Sequence, residues 1–79
     1  DTQQHLMAAR AALANRDGEQ LSRSAHHIKG SSANVGLYEM QSVAAMLETQ
    51  ASQNELTQAE MLLNQLMEML GSVMSYLKE

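Results

Sequence analysis

Apolar residues recur along the chain at helical rather than alternating spacing, in four successive segments. The first runs from about Thr2 to Asn15, with Leu6, Ala9 and Leu13 on one face, flanked by Met7 and Ala12. Arg16-Asp17-Gly18 ends it. Asp17 suits the N-cap of a second helix, and Gln20 completes a capping-box pattern with it. That helix continues to about Asn34. Gly36 falls where helix C-termini commonly turn left-handed, so a third helix begins near Leu37. Leu37, Met40, Ala44, Leu47 and Ala51 form its stripe. Ser52-Gln53-Asn54-Glu55 and Thr57-Gln58-Ala59-Glu60 both have the capping-box pattern, and the fourth helix begins at one of them. Leu63, Leu66, Leu70, Val73 and Leu77 line one side of it. Gly71 within this helix costs about 1 kcal/mol relative to alanine and marks a bend or a close contact.

Amphipathic helices joined by short links cannot bury their stripes singly. The expected fold is all-α, an antiparallel up-down four-helix bundle. A chain of 79 residues has room for a single domain spanning 1–79. Because it opens on Asp1 rather than methionine, it reads as a piece of a longer chain. Hydrophobic residues make up 44% of the sequence without any Phe or Trp, so the core must be built from Leu, Met and Ala. Met7, Met40, Met46, Met61, Met67, Met69 and Met74 lie mostly on or beside the stripes and are expected to supply flexible bulk. No cysteine is present, which excludes disulfides, a thiolate zinc site and a cysteine nucleophile. No apolar run is long enough to cross a bilayer, and no membrane contact by this domain is expected.

The net charge of −4 argues against general nucleic-acid binding, whose affinity rests on neutralising phosphates. Its distribution is uneven. Arg10, Arg16, Arg23 and Lys29 face only Asp1, Asp17 and Glu19 in the first 30 residues, whereas beyond them Lys78 is set against six glutamates.

At about 100° per residue, the second helix gathers Leu21, Ala25, Ile28, Ser32 and Val35 on its inner side, with Ser24 and Ser31 near the edge. His26 lies almost opposite, in an outer strip with Glu19, Ser22, Arg23, Lys29, Gly30 and Ala33. Arg23 and Lys29, one turn either side, suit an imidazole that carries an anionic group. Gly30 adds no side chain there, as close approach of another backbone, or helix packing within the chain, would require. His27 is two residues from Lys29 and so points away from it. Its plain reading is a partly exposed polar residue flanking the outer face.

Two other functions fit parts of this pattern. Metal binding is poorly served: no His-Glu-x-x-His or Glu-x-x-His spacing occurs, adjacent His26 and His27 cannot enter one helical site, and His5 is on another segment. A non-catalytic helical interaction module, docking through its methionines, is the stronger alternative. A self-sufficient kinase is excluded by the lack of a phosphate-binding glycine loop and of room for a nucleotide domain.

The run Ala25-His26-His27-Ile28-Lys29-Gly30-Ser31-Ser32-Ala33-Asn34-Val35-Gly36 resembles the signature His-x-x-Lys-Gly-small-small-x-x-apolar-Gly of histidine-containing phosphotransfer domains. Ala12, Leu13 and Asp17 before it, and the Leu47-Glu48 pair after it, extend the resemblance over roughly residues 6 to 50. It implies that His26 accepts a phosphoryl group, that Lys29 supports the phosphate, and that Gly30 leaves room for a docking receiver. Arg23, Ser22 and Ala33 fall on the same docking face, with Glu39 a further surface contact. Glu48 matches a position whose Gln or Glu bonds one imidazole nitrogen and leaves the other to attack phosphorus.

The implied function is phosphorelay intermediate, with reversible transfer between His26 and an aspartate of a response-regulator receiver domain. The receiver of a hybrid sensor kinase is one such partner. No cofactor is expected in the domain, and Mg²⁺ is expected in the receiver. The implied location is cytoplasmic, either free or as the cytoplasmic part of a membrane-bound sensor kinase. Family members commonly carry a further helical stretch ahead of the one starting at Thr2. This sequence has little room for it, which leads us to expect an apolar strip on the first or last helix that either drives self-association or is covered by residues of a longer chain.

Overall fold

The computed structural model describes the backbone of residues 2–78 and the side chains of residues 2–75. Four helices follow in order: α1 (Thr2–Ala14), α2 (Gly18–Asn34), α3 (Tyr38–Ser52) and α4 (Ala59–Lys78). Each packs on its neighbours around a square, and α1 closes the ring against α4. The result is an all-α, antiparallel up-down bundle 38 Å long and 19 Å across. The α2–α3 contact is the most extensive and the α1–α4 contact the least. No described helix is long and apolar enough to cross a membrane.

The three helix-to-helix turns share one device. Arg16, Gly36 and Asn54 adopt φ of 54°, 78° and 56°. The next residue's amide then reaches back five positions: Asp17 N–H to Ala12 O (2.8 Å), Leu37 N–H to Ser32 O (2.9 Å), and Glu55 N–H to Gln50 O (2.8 Å). These are Schellman closures, which satisfy carbonyls left over at a helix end. Only Gly36 announced itself in the sequence, because arginine and asparagine are not required to turn left-handed.

Asp17 caps α2 as expected, its Oδ1 accepting from Gln20 N–H at 3.1 Å. The reciprocal half of the box is not made. Asp17 N–H is already spent on Ala12 O, and the Gln20 side chain turns to Ser24 Oγ instead. Of the two candidate starts for α4, the second is used: Leu62 N–H donates to Gln58 O at 3.0 Å. Gly18 is buried where α2 begins beside the end of α3. A Cβ there would lie 2.7 Å from the Ala51 carbonyl oxygen and 2.5 Å from Asn54 Oδ1.

The core interleaves leucines with alanines. Leu6, Ala9 and Ala12 of α1 meet Leu21, Ala25 and Ile28 of α2, Met40, Ala44, Leu47 and Ala51 of α3, and Leu62, Leu63 and Leu66 of α4. Leu56 and Ala59 close one end. Small residues let the helices approach while the leucines fill the space between them, so aromatic rings are not needed. Ser32 is buried without penalty, its hydroxyl donating to Ile28 O at 2.7 Å.

Several expectations of the periodicity are corrected. Val35 is 70% exposed because it caps α2, where the chain has already left the helical path. Ala12 is buried and Leu13 only partly so, packed against the edge of the core, and Leu62 joins Leu63 inside it. The methionines are mostly not filler: Met40 is buried and Met69 partly so, while Met7, Met46, Met61, Met67 and Met74 are exposed. Met7, Met67 and Met74 line an apolar groove between α1 and α4, with Leu6, Leu70 and Gly71. Helix α4 runs unbroken through Gly71, which touches nothing a side chain would meet. The Leu77 side chain, expected on the α4 stripe, lies outside the described residues.

Candidate functional site

The α2–α3 contact fixes the site. Leu47 is fully buried, so Glu48, one residue further around α3, emerges at the edge facing α2. Ser22 ties the two helices there, its hydroxyl donating to the Glu48 carbonyl oxygen at 3.3 Å. His26, one turn on, lies with Nδ1 2.9 Å from Glu48 Oε2. Lys29 follows, its Nζ 2.6 Å from Glu48 Oε1. One carboxylate therefore bridges the imidazole and the ammonium.

The electrostatics select a tautomer. The Lys29 ammonium, bonded to Oε1, holds Glu48 below the ordinary carboxylate range; partial burial works against this and the bond to His26 adds to it. Glu48 is thus ionised at neutral pH, and a carboxylate can only accept. Nδ1 of His26 must carry the hydrogen of that bond, so in a neutral ring the lone pair is on Nε2. The ring is 63% exposed, which leaves Nε2 open to a partner. Pairs this exposed stabilise a fold by at most about 1 kcal/mol each. Their main effect here is to orient.

The other expected residues are placed as follows. Arg23 is paired with Glu19 on its own helix at 2.6 Å, both exposed, and does not join the His26–Glu48–Lys29 group. Ser22 is half-buried with its hydroxyl turned to α3, which takes that hydroxyl off the open face. Gly30 is exposed, and a Cβ there would meet nothing within 4 Å, so packing inside the chain does not explain it. Ala33 and Glu39 are exposed.

Periodicity missed one arrangement. His27 stacks flat on His5 of α1, ring centroids 4.5 Å apart and planes within 9°, and meets the His26 ring edge-on at 6.2 Å. Partial burial lowers the His5 pKa, and His27 and the amino terminus push it the same way. No sequence signal could have found this stack, since it depends on the register of α1 against α2. No cluster of three or more metal-ligating side chains occurs among the described residues.

The fold and this site define a helical bundle that displays one oriented, exposed imidazole beside a lysine and a bare glycine. A model of the Hpt domain family matches residues 1–75, and the chain belongs to that family. No curated protein and no solved structure matches it. Hpt domains act in phosphorelays by histidine phosphotransfer and in general interact with response-regulator receivers.

Proposed function

We propose that His26 is the phospho-accepting residue of a phosphorelay intermediate and exchanges its phosphoryl group with a receiver aspartate. The observation that carries this reading is the Glu48 bridge, which holds the proton on Nδ1 and leaves Nε2 as the nucleophile. In the forward step Nε2 attacks phosphorus of the aspartyl phosphate. The N–P bond forms, the P–O bond breaks, and the aspartate leaves as a carboxylate. Nδ1 keeps its hydrogen, so the ring becomes positively charged as it gains the phosphoryl dianion. Glu48 compensates that charge, and Lys29, within reach of the same group, supports the phosphate.

In this reading Mg²⁺ belongs to the receiver's acidic pocket, and the receiver supplies most of the catalysis. Gly30 and Ala33 offer it a face without long side chains, with Arg23 at the rim and Ser22 bracing the helices beneath it. Incubation with a phosphorylated receiver tests the assignment. An acid-labile, alkali-stable label is expected that His26→Gln abolishes and His27→Gln spares. Label that survives His26→Gln overturns it.

The exposed methionines favour one other reading, a helical interaction module that docks through the α1–α4 groove. It predicts partner binding without phosphoryl transfer, insensitive to either histidine substitution.

A further inference from the structure

The stacked histidines lie on the opposite flank of His26 from Glu48 and Lys29, and the proposed transfer makes no use of them. A metal ion does not explain them, because rings in parallel planes direct their nitrogen lone pairs side by side rather than toward one point. Two imidazoles in face contact do suit a single proton carried by one ring or the other. A single imidazolium over a neutral ring is a favourable stack, whereas a second proton places like charges 4.5 Å apart.

Among the described residues the charged surroundings of the pair are few. On α2 they are His26 and Arg23, the latter one turn before His27 and already paired with Glu19. On the α1 side there is the amino terminus. Beyond His26, Glu48 of α3 and Lys29 offset one another. Among the described residues, α4 meets α1 near this end through Leu70, Gly71 and Met74, which carry no charge. The group whose charge changes is therefore His26.

We propose that His5 and His27 form one proton-binding unit coupled to the state of His26, taking up part of a proton when His26 is phosphorylated. The inference rests on the reading of His26 as the acceptor. Phosphorylation of the neutral ring takes His26 to a net charge of −1, an imidazolium ring bearing a phosphoryl dianion. The His27 ring centroid is 6.2 Å from that of His26, and a net unit charge about 7 Å away in water-like surroundings raises a histidine midpoint by about half a pH unit, which the stack passes in part to His5. The sign follows by linkage. Within the pair, phosphorylation of His26 increases the protons bound, so the contribution of His5 and His27 alone favours the phosphorylated form as the pH falls, by at most about threefold for a half-unit change.

Phosphoramidate tests this without a receiver. Nε2 attacks its phosphorus, the N–P bond to the ring forms, the reagent's own P–N bond breaks, and ammonia leaves. The ring resonances of His5 and His27 are then titrated by NMR in the free and phosphorylated chain. Both midpoints are expected to rise on phosphorylation, that of His27 by about half a pH unit. If His26 is labelled and neither midpoint moves, or only that of His27 does, the coupled unit is refuted and the acceptor assignment stands. If the label falls on His27 or His5 instead, the acceptor assignment fails and this inference with it.

Discussion

Replacing Glu48 with alanine separates orientation from folding. The substitution removes the 2.9 Å contact to Nδ1 and the 2.6 Å contact to Lys29, while Leu47 beside it keeps α3 seated. A hydrogen bond to a charged group is worth about 1.5–3 kcal/mol. With the His26 ring 63% exposed, solvent reduces this to about 1 kcal/mol, or roughly a fivefold effect on rate. Initial rates of transfer from a phosphorylated receiver, at receiver concentrations below saturation, are therefore expected to fall about fivefold in Glu48→Ala. The melting temperature is expected to change little, since both contacts are near the surface. Ring ¹⁵N spectra of His26 supply the decisive readout: the population with hydrogen on Nδ1 should fall in Glu48→Ala and recover in Glu48→Gln, whose amide oxygen still accepts. Wild-type rate together with an unchanged tautomer in Glu48→Ala would refute the reasoning.

Gly18→Ala is expected to cost about 1–3 kcal/mol, because the added methyl meets the Ala51 carbonyl; denaturant unfolding at an unchanged midpoint would contradict that close approach. Gly30→Ala should stabilise α2 by up to about 1 kcal/mol, since its Cβ enters open space, yet slow transfer from the receiver; faster or unchanged transfer would show that the bare face is not needed. Stability should decline as the solution is acidified. Glu48 and His5 both have lowered pKa values in the fold, so each contributes above its unfolded pKa and loses that contribution as pH falls through the folded one: His5 below the usual histidine range, Glu48 below the usual carboxylate range. Urea titrations at stepped pH check this, and Glu48→Gln should remove the more acidic part of the decline.

The sequence by itself determined what depends on neighbours along the chain. Helical periodicity specified four amphipathic segments, Asp17 and Gly36 marked boundaries through local backbone chemistry, and the spacing of His26, Lys29 and Gly30 put them on one outer face. These are properties of a single helix, and a single helix can be read from its own residues. Tertiary structure decided the rest. Glu48 reaches His26 only because α3 packs on α2 with Leu47 inward and Ser22 bonded across, and His27 meets His5 only at one register of α1. Five of the methionines and Val35 fell outside the core because burial depends on which neighbouring helix arrives and where the chain bends away, not on apolarity alone. Even the turn at Arg16 was set this way: an ordinary residue accepts the left-handed conformation when the closure from Asp17 to Ala12 and the close seating of Gly18 against α3 require it.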